Sequence, residues 1–235
     1  ENSILHVQTE FNGFFKLHVY NSGTLYKIRV FIKEKKIMGQ NEDYLEAIRH
    51  VNKKNDERLA LARAGIDVNN AGIMLISAYF PMLFHRLGLL ADNRREFEST
   101  NDRIRAIFLI QYLLYGEQCE WEEPELYLNK MMVGMEEYNQ PLPRTCELSQ
   151  EETDMAEDMI KVICHNWDKM RNTSISGFRV AFLQRRGQVM LHEDLGKWEV
   201  TVEQEAYDLL IDSIPWEYKM CKYPWQKKII EVKWR

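Results

Sequence analysis

GQVMLHEDLGKWEVTV, from Gly187 to Val202, is where the apolar spacing of the chain changes to a period of two. Val189 and Leu191 share one parity, Asp194-Leu195-Gly196 supplies a turn, and Trp198, Val200 and Val202 resume the alternation. Successive side chains of an extended strand point to opposite faces, so this stretch reads as a β-hairpin with one apolar face. Before it the period is helical. Ser149 followed three residues later by Glu152 is a capping box, in which each side chain satisfies the other's end of the first turn. Met155, Met159, Ile163 and Trp167 then recur every four residues as one apolar stripe. Ser174 opens a further helix with Phe178 and Phe182 on one face. After the hairpin, a helix through Ala206, Leu209 and Leu210 ends before Pro215, and Ile230, Val232 and Trp234 alternate in a final strand. Residues 149–235 are therefore expected to form a helix–helix–hairpin–helix–strand unit.

Working outward, residues 66–148 read as a helical domain. Asn69-Asn70 precede an apolar helix through Met74, Tyr79 and Phe84, with Gly88 placed to stop it. Pro81 lies inside that run and lacks a backbone donor, so a kink or restart is expected there. A second helix begins near Thr100 or Asn101, runs through Ile104, Ile107, Phe108 and Tyr112 to Leu114, and meets Gly116. A third, short helix carries Pro124 in its first turn, Leu128, Met131 and Met132 on its apolar side, and Gly134 at its end. Residues 136–148, with Pro141 and Pro143, read as a loop. Residues 38–65 are a polar linker or solvated helix in which only Tyr44, Leu45, Ile48 and Val51 keep a stripe. Residues 1–37 form a small β-containing piece, with Asn21-Ser22-Gly23 as a hairpin turn. The fold class is α+β, with a mainly helical middle.

Composition bounds the function. The 235 residues are 45% hydrophobic and 29% charged, as expected of a folded domain with a core. The net charge is −5 and the basic residues are scattered, which argues against a nucleic-acid partner. The longest apolar run, Ala71 to Phe84, is shorter than the roughly 20 residues of a membrane span, so no membrane span is expected. No basic segment followed by an apolar one opens the chain, which makes the cytoplasm the default compartment. The chain starts at Glu1, without Met, so a longer gene product is expected. Cys119, Cys146, Cys164 and Cys221 match no metal knuckle or dense disulfide pattern and are read as reduced core thiols.

No constellation of catalytic, cofactor-binding or metal-ligating residues emerges. Cys164 and His165 are adjacent, and neighbours on a helix point about 100° apart, so they do not form a nucleophile–base pair. The six histidines lack HxxxH and HExxH spacings. Glu151, Glu152, Asp154, Glu157 and Asp158 read as a solvated face whose first members offset the helix dipole. No GxxxxGK[ST], GxGxxG or GxSxG sequence occurs. Arg185-Arg186 and Lys227-Lys228 are short basic pairs that read as solubility elements. A Cys-dependent enzyme built on Cys146 or Cys221 is the remaining catalytic reading. Methionines repack around varied partners, so Met131-Met132 and Met155, Met159 are either core filling or an adaptable groove. Pro215-Trp216 and Pro224-Trp225 repeat one rigid, apolar dipeptide, followed by Trp234. They read either as a locally pinned core or as a docking surface, which makes Trp216, Trp225, Trp234, Met131 and Met132 the candidate partner-binding residues.

Four blocks taken in order carry a resemblance: VNNAGIMLI at Val68 to Ile76, PMLFHRLGLL at Pro81 to Leu90, LNKMMVG at Leu128 to Gly134, and RNTSISGFRVAFLQRRG at Arg171 to Gly187, followed by the Pro-Trp pairs. Over residues about 66–235 the chain resembles the tape-measure proteins of contractile injection systems, the phage-tail-derived machines; the first 65 residues add nothing to the likeness. The resemblance implies a structural part without cofactors, in or near the inner tube and baseplate hub, whose length helps to set tube length. It implies inner tube, baseplate hub or cap proteins as partners, with a homo-oligomer as a further option, and assembly in the cytoplasm followed by residence in the particle. A ruler must be extended, and 235 residues of unbroken helix span only about 350 Å. The chain is therefore read as the folded end of a ruler or as a member that anchors, caps or initiates a tube. The alternative is an adaptor or effector-loading chaperone of the same apparatus.

Overall fold

A computed structural model of the chain describes residues 4–5, 15–21, 26–32, 38–135 and 142–234. They fall into two compact units, Glu1–Ala62 and Arg63–Arg235. In the first unit β1 (Ile4–Leu5), β2 (Phe15–Asn21) and β3 (Tyr26–Ile32) form an antiparallel sheet in that order, with Leu17 opposite Val30 and Val19 opposite Ile28. The pair Asn21–Tyr26 ends the β2–β3 ladder, and the expected turn residues Ser22 and Gly23 lie outside the described residues. The polar stretch that follows is α1 (Met38–Ala64), a helix of 27 residues, so the helical alternative for it is the one realised. Its Lys53 and Glu57 form an exposed i,i+4 pair.

The second unit begins with β4 (Ile66–Val68), a 3-10 helix at Ala71–Tyr79 and α2 (Phe80–Arg86). Next come α3 (Thr100–Tyr115), a 3-10 turn at Glu123–Leu126 leading into α4 (Tyr127–Met132), and α5 (Gln150–Asn166). A short helix α6 (Ile175–Phe178) widens into a π turn at Arg179–Leu183. The hairpin β5 (Gly187–His192) and β6 (Lys197–Val202) is followed by a 3-10 helix at Ala206–Ser213, β7 (Met220–Cys221) and β8 (Ile229–Trp234). The second sheet has the order β4-β5-β6-β8-β7. Its pairs are antiparallel except β6 with β8, which run parallel because the long connection after β6 returns the chain to the same end of the sheet. Val189, Leu191, Trp198, Val200, Val202, Ile230, Val232 and Trp234 are buried, as their alternation requires. Segments on both sides of the loop at residues 142–148 thus share one sheet. No helix among the described residues is long and apolar enough to cross a membrane.

Local signals are obeyed where the partner lies a few residues away. Ser149 and Glu152 form the expected capping box, with Glu152 N–H donating to Ser149 Oγ at 3.2 Å and Ser149 N–H to Glu152 Oε2 at 2.7 Å. Ser174 caps α6 through Gly177 N–H at 3.0 Å. α3 starts at Thr100, as expected, with Ser99 as its cap, and ends at Gly116 in the left-handed region.

The two longest 3-10 helices depart from expectation. The apolar run after Asn70 is not α-helical until Phe80, where Pro81 sits in the first turn of α2 and the helix restarts. Every residue from Ala71 to Ser77 is buried, so packing on all sides, and not a polar outer face, sets its winding. Asn70 makes no side-chain cap. Gly72 explains why the segment lies so deep: a Cβ there would stand 1.9 Å from the Phe182 carbonyl oxygen, so only glycine lets the 3-10 helix touch the π turn. In the helix at 206–213, three residues per turn align Asp208 with Ile211, and these face inward. Leu209, expected on the apolar face, is 72% exposed.

Gly72→Ala is expected to cost about 3 kcal/mol or more, since the clash is with backbone. At Gly88, φ is 68° and a Cβ would meet nothing within 4 Å, so Gly88→Ala should cost only about 1–2 kcal/mol. Urea unfolding of both variants measures the contrast.

Candidate functional site

The blocks that set this sequence apart meet inside the second unit. Asn70 and Asn129 are buried amides, and buried amides need partners. Asn70 Nδ2 donates to Asn129 Oδ1 at 3.1 Å, and Asn129 Nδ2 donates to Gln111 Oε1 at 2.7 Å and to the Ile107 carbonyl at 3.1 Å. The chain of amides ties the entrance of the first 3-10 helix to α4 and α3. The role expected of Asn70 as a cap is thus replaced by a long-range one.

The block at 171–187 closes the C-terminal end of α3. Arg179 Nε donates to the Leu113 carbonyl at 2.9 Å and Gln184 Nε2 to the Leu114 carbonyl at 2.8 Å, two groups that a helix cannot satisfy by itself. Arg179 Nη2 also pairs with Glu157 at 2.6 Å. Phe178 and Phe182 pack on Trp167, with ring centroids 6.3 and 5.0 Å away. Arg185, read from the sequence as a solubility residue, is buried. Its guanidinium grips Asp208 with two bonds, Nη1 to Oδ1 at 2.8 Å and Nη2 to Oδ2 at 3.0 Å. The Tyr207 and Trp234 rings lie 5.4 and 5.5 Å from its central carbon. Lys228 is likewise buried, whereas Arg186 and Lys227 are exposed. Glu152 corrects the reading of the acidic stretch as wholly solvated: it is buried and ion-paired with Arg105, while Glu151, Asp154 and Asp158 are exposed.

Both Pro-Trp pairs reach back across the chain. Trp216 Nε1 donates to the Leu75 carbonyl at 2.8 Å, and Tyr223 OH donates to the Ser77 carbonyl, near the end of the first 3-10 helix. Trp225 Nε1 donates to the Met132 carbonyl at 3.1 Å and Gln226 Nε2 to the Met131 carbonyl at 3.1 Å, at the end of α4. Arg103 Nη1 adds a bond to the Val133 carbonyl at 2.8 Å. Of the five candidate partner-binding residues, Trp225, Trp234, Met131 and Met132 are buried within the unit and Trp216 is half-exposed. Burial is tolerated at Trp225 because its indole N–H finds a carbonyl partner inside the unit. Tyr223, Gln226 and Arg103 carry no local spacing that marks them in the sequence.

All four cysteines are free. Cys164 and Cys221 are buried, and burial pushes both thiols up to about 11, so neither is a thiolate at neutral pH. Cys119 is exposed and Cys146 partly so, contrary to the expectation of four core thiols. His165 is exposed beside buried Cys164. No group of three or more His, Cys, Asp or Glu suited to a metal occurs among the described residues.

The surface also offers a feature of a different kind, a groove of about 710 Å³ between α2 and α5. Tyr79, Met82, Leu83, Met155, Met159 and Val162 make its apolar lining, and Glu151, Asp154 and Asp158 stand along one lip with Arg86 opposite. Met82 and Val162 are 44% and 49% exposed. Met155 and Met159 therefore do contribute to a groove, while the Met131-Met132 pair does not.

The Arg185–Asp208 pair sets an acid limit on the unit. Burial alone would raise the Asp208 carboxyl, but the Arg185 guanidinium and the Glu205 N–H outweigh it and hold it below the usual carboxylate range. A depressed folded value gives stability that is fully present above the unfolded pKa and is lost as pH falls through the folded one. Asp208→Asn should cost about 3–5 kcal/mol at pH 7 by stranding the buried guanidinium. In urea unfolding, the gap from the parent chain should narrow as pH drops from about 4 toward 2.

A model of the contractile injection system tape measure protein family matches residues 24–234. No curated protein and no solved structure matches the chain. The family match begins well before residue 66, where the sequence resemblance started, and so takes in β3 and α1 as well. Spanning most of the sequence, it shows that the chain belongs to the contractile injection system tape measure protein family.

Proposed function

We propose that this chain serves the injection particle as a non-enzymatic folded module that anchors, caps or initiates the inner tube. The observation that carries this reading is the closure of the second unit on itself. Leu75 is bonded to Trp216 and Ser77 to Tyr223, partners 141 and 146 residues apart in sequence. A segment held this way cannot lengthen without breaking these bonds, which supports anchoring, capping or setting tube length as a fixed folded part over stretching as an extended ruler. Among the described residues the longest helix is α1, whose 27 residues cover about 40 Å.

Inner tube, baseplate hub or cap proteins are the partners this role requires. Assembly takes place in the cytoplasm, and the chain then stays in the finished particle. The groove lined by Met82, Met155 and Met159 favours a second reading, an adaptor or effector-loading chaperone, because thioethers repack around varied surfaces.

Removing the chain from cells that build the particles is expected to abolish them or to give tubes of irregular length in electron micrographs. Normal particles with tubes of unchanged length contradict the proposal. Purified particles should retain the chain; a chain that copurifies with an effector but is missing from finished particles supports the chaperone reading instead.

A further inference from the structure

We infer that the groove between α2 and α5 receives an amphipathic helix of another protein of the particle, apolar on one face and bordered by Lys or Arg. This rests on the structural role above and names the chemistry of its contact. The floor is apolar and deformable: Met155 and Met159 come from α5 and Met82 from α2. Grooves between helices with such floors take helices through anchors spaced at i, i+3, i+4 and i+7. From Glu151 to Val162 the groove follows α5 for about 16 Å, room for about three turns of a docked helix.

The lip decides the charge of the occupant. Glu151 belongs to the first turn of α5, where a carboxylate offsets the dipole. Asp154 and Asp158 lie beyond that turn, four residues apart on one face, an arrangement that costs an isolated helix a few tenths of a kcal/mol (about 0.2–0.5). Asp158 is paired with Lys161 at 2.7 Å and Asp154 accepts from Gln150 Nε2 at 2.8 Å, a neutral donor that leaves its charge uncompensated; no salt bridge to Glu151 or Asp154 occurs among the described residues. Against them stands Arg86 on the other side. The balance is acidic, and a cationic border on the incoming helix complements it, while an acidic one is repelled.

The test uses the full chain and two fluorescently labelled helical peptides of about 18 residues, each with leucines on one face, one carrying lysines elsewhere and the other glutamates. The lysine peptide should bind at least tenfold more tightly, and the preference should weaken with salt. Met82→Asp with Val162→Asp should weaken it at least tenfold while leaving circular dichroism and the unfolding midpoint unchanged, since both side chains are exposed. Asp154→Lys with Asp158→Lys should reverse the preference. Equal binding of the two peptides, no binding of either, or indifference to the groove substitutions overturns the inference. So does sedimentation showing that the groove joins two copies of this chain.

In cells that make particles, the Met82→Asp, Val162→Asp chain should be folded but depleted from them. If it is incorporated normally while deletion of the whole chain still disturbs assembly, the groove inference fails and the structural role stands.

Discussion

Helix ends buried in an interior present carbonyl groups that the helix itself cannot satisfy, and in this chain distant side chains satisfy them. Arg179 and Gln184 close α3, Trp216 and Tyr223 bond the last turns of the 71–79 helix, and Trp225, Gln226 and Arg103 close α4. Each donor leaves its own element to do so. Three helix ends are thus made interior by residues that only the folded chain brings near. The Leu113, Leu114 and Val133 carbonyls take these side chains as partners, whereas the Ser77 and Met131 carbonyls also accept the Phe80 and Gly134 N–H groups and gain a second bond.

The same logic places the sheet. Arg185 donates its guanidinium to Asp208 while its carbonyl accepts the Ala71 N–H at 2.9 Å, so a single residue joins the hairpin entrance, the connection after β6 and the first 3-10 helix. Gly72 lets that helix press on the π turn. The result is a unit whose first and last segments are bonded to one another. Within it the groove between α2 and α5 stands apart, because Met82 is exposed and Met155 half-buried there, while Met131 and Met132 of α4 are buried.

What could be read from the sequence divides by distance. The Ser149–Glu152 box, the cap at Ser174, the restart at Pro81 and the hairpin rest on partners close in sequence, and all are present; the last strand is present too, legible from its own alternation. The parallel pairing of β6 with β8, the edge strand β7 and the 3-10 winding of two apolar segments depend on packing that spacing does not encode. Arg185 and Lys228 look like solvated cations because their sequence neighbours are basic, yet both are buried. The tryptophans were legible as anchors, but not which way they faced. Half of the groove was visible as the Met155, Met159 stripe; Met82, on α2, joins it only in the fold.

The central claim is that the distinguishing residues hold residues 63–235 together as one interlocked unit. Native-state hydrogen exchange, followed by mass spectrometry across increasing denaturant, tests it most directly. The account predicts that amides of α3, α4, the 71–79 helix and the segment around Trp216 to Gln226 open together, with one common free energy. Exchange of the Trp216 to Gln226 segment at a much lower free energy than α3 and α4 would contradict it, because the helix ends would then be closed without the residues assigned to them.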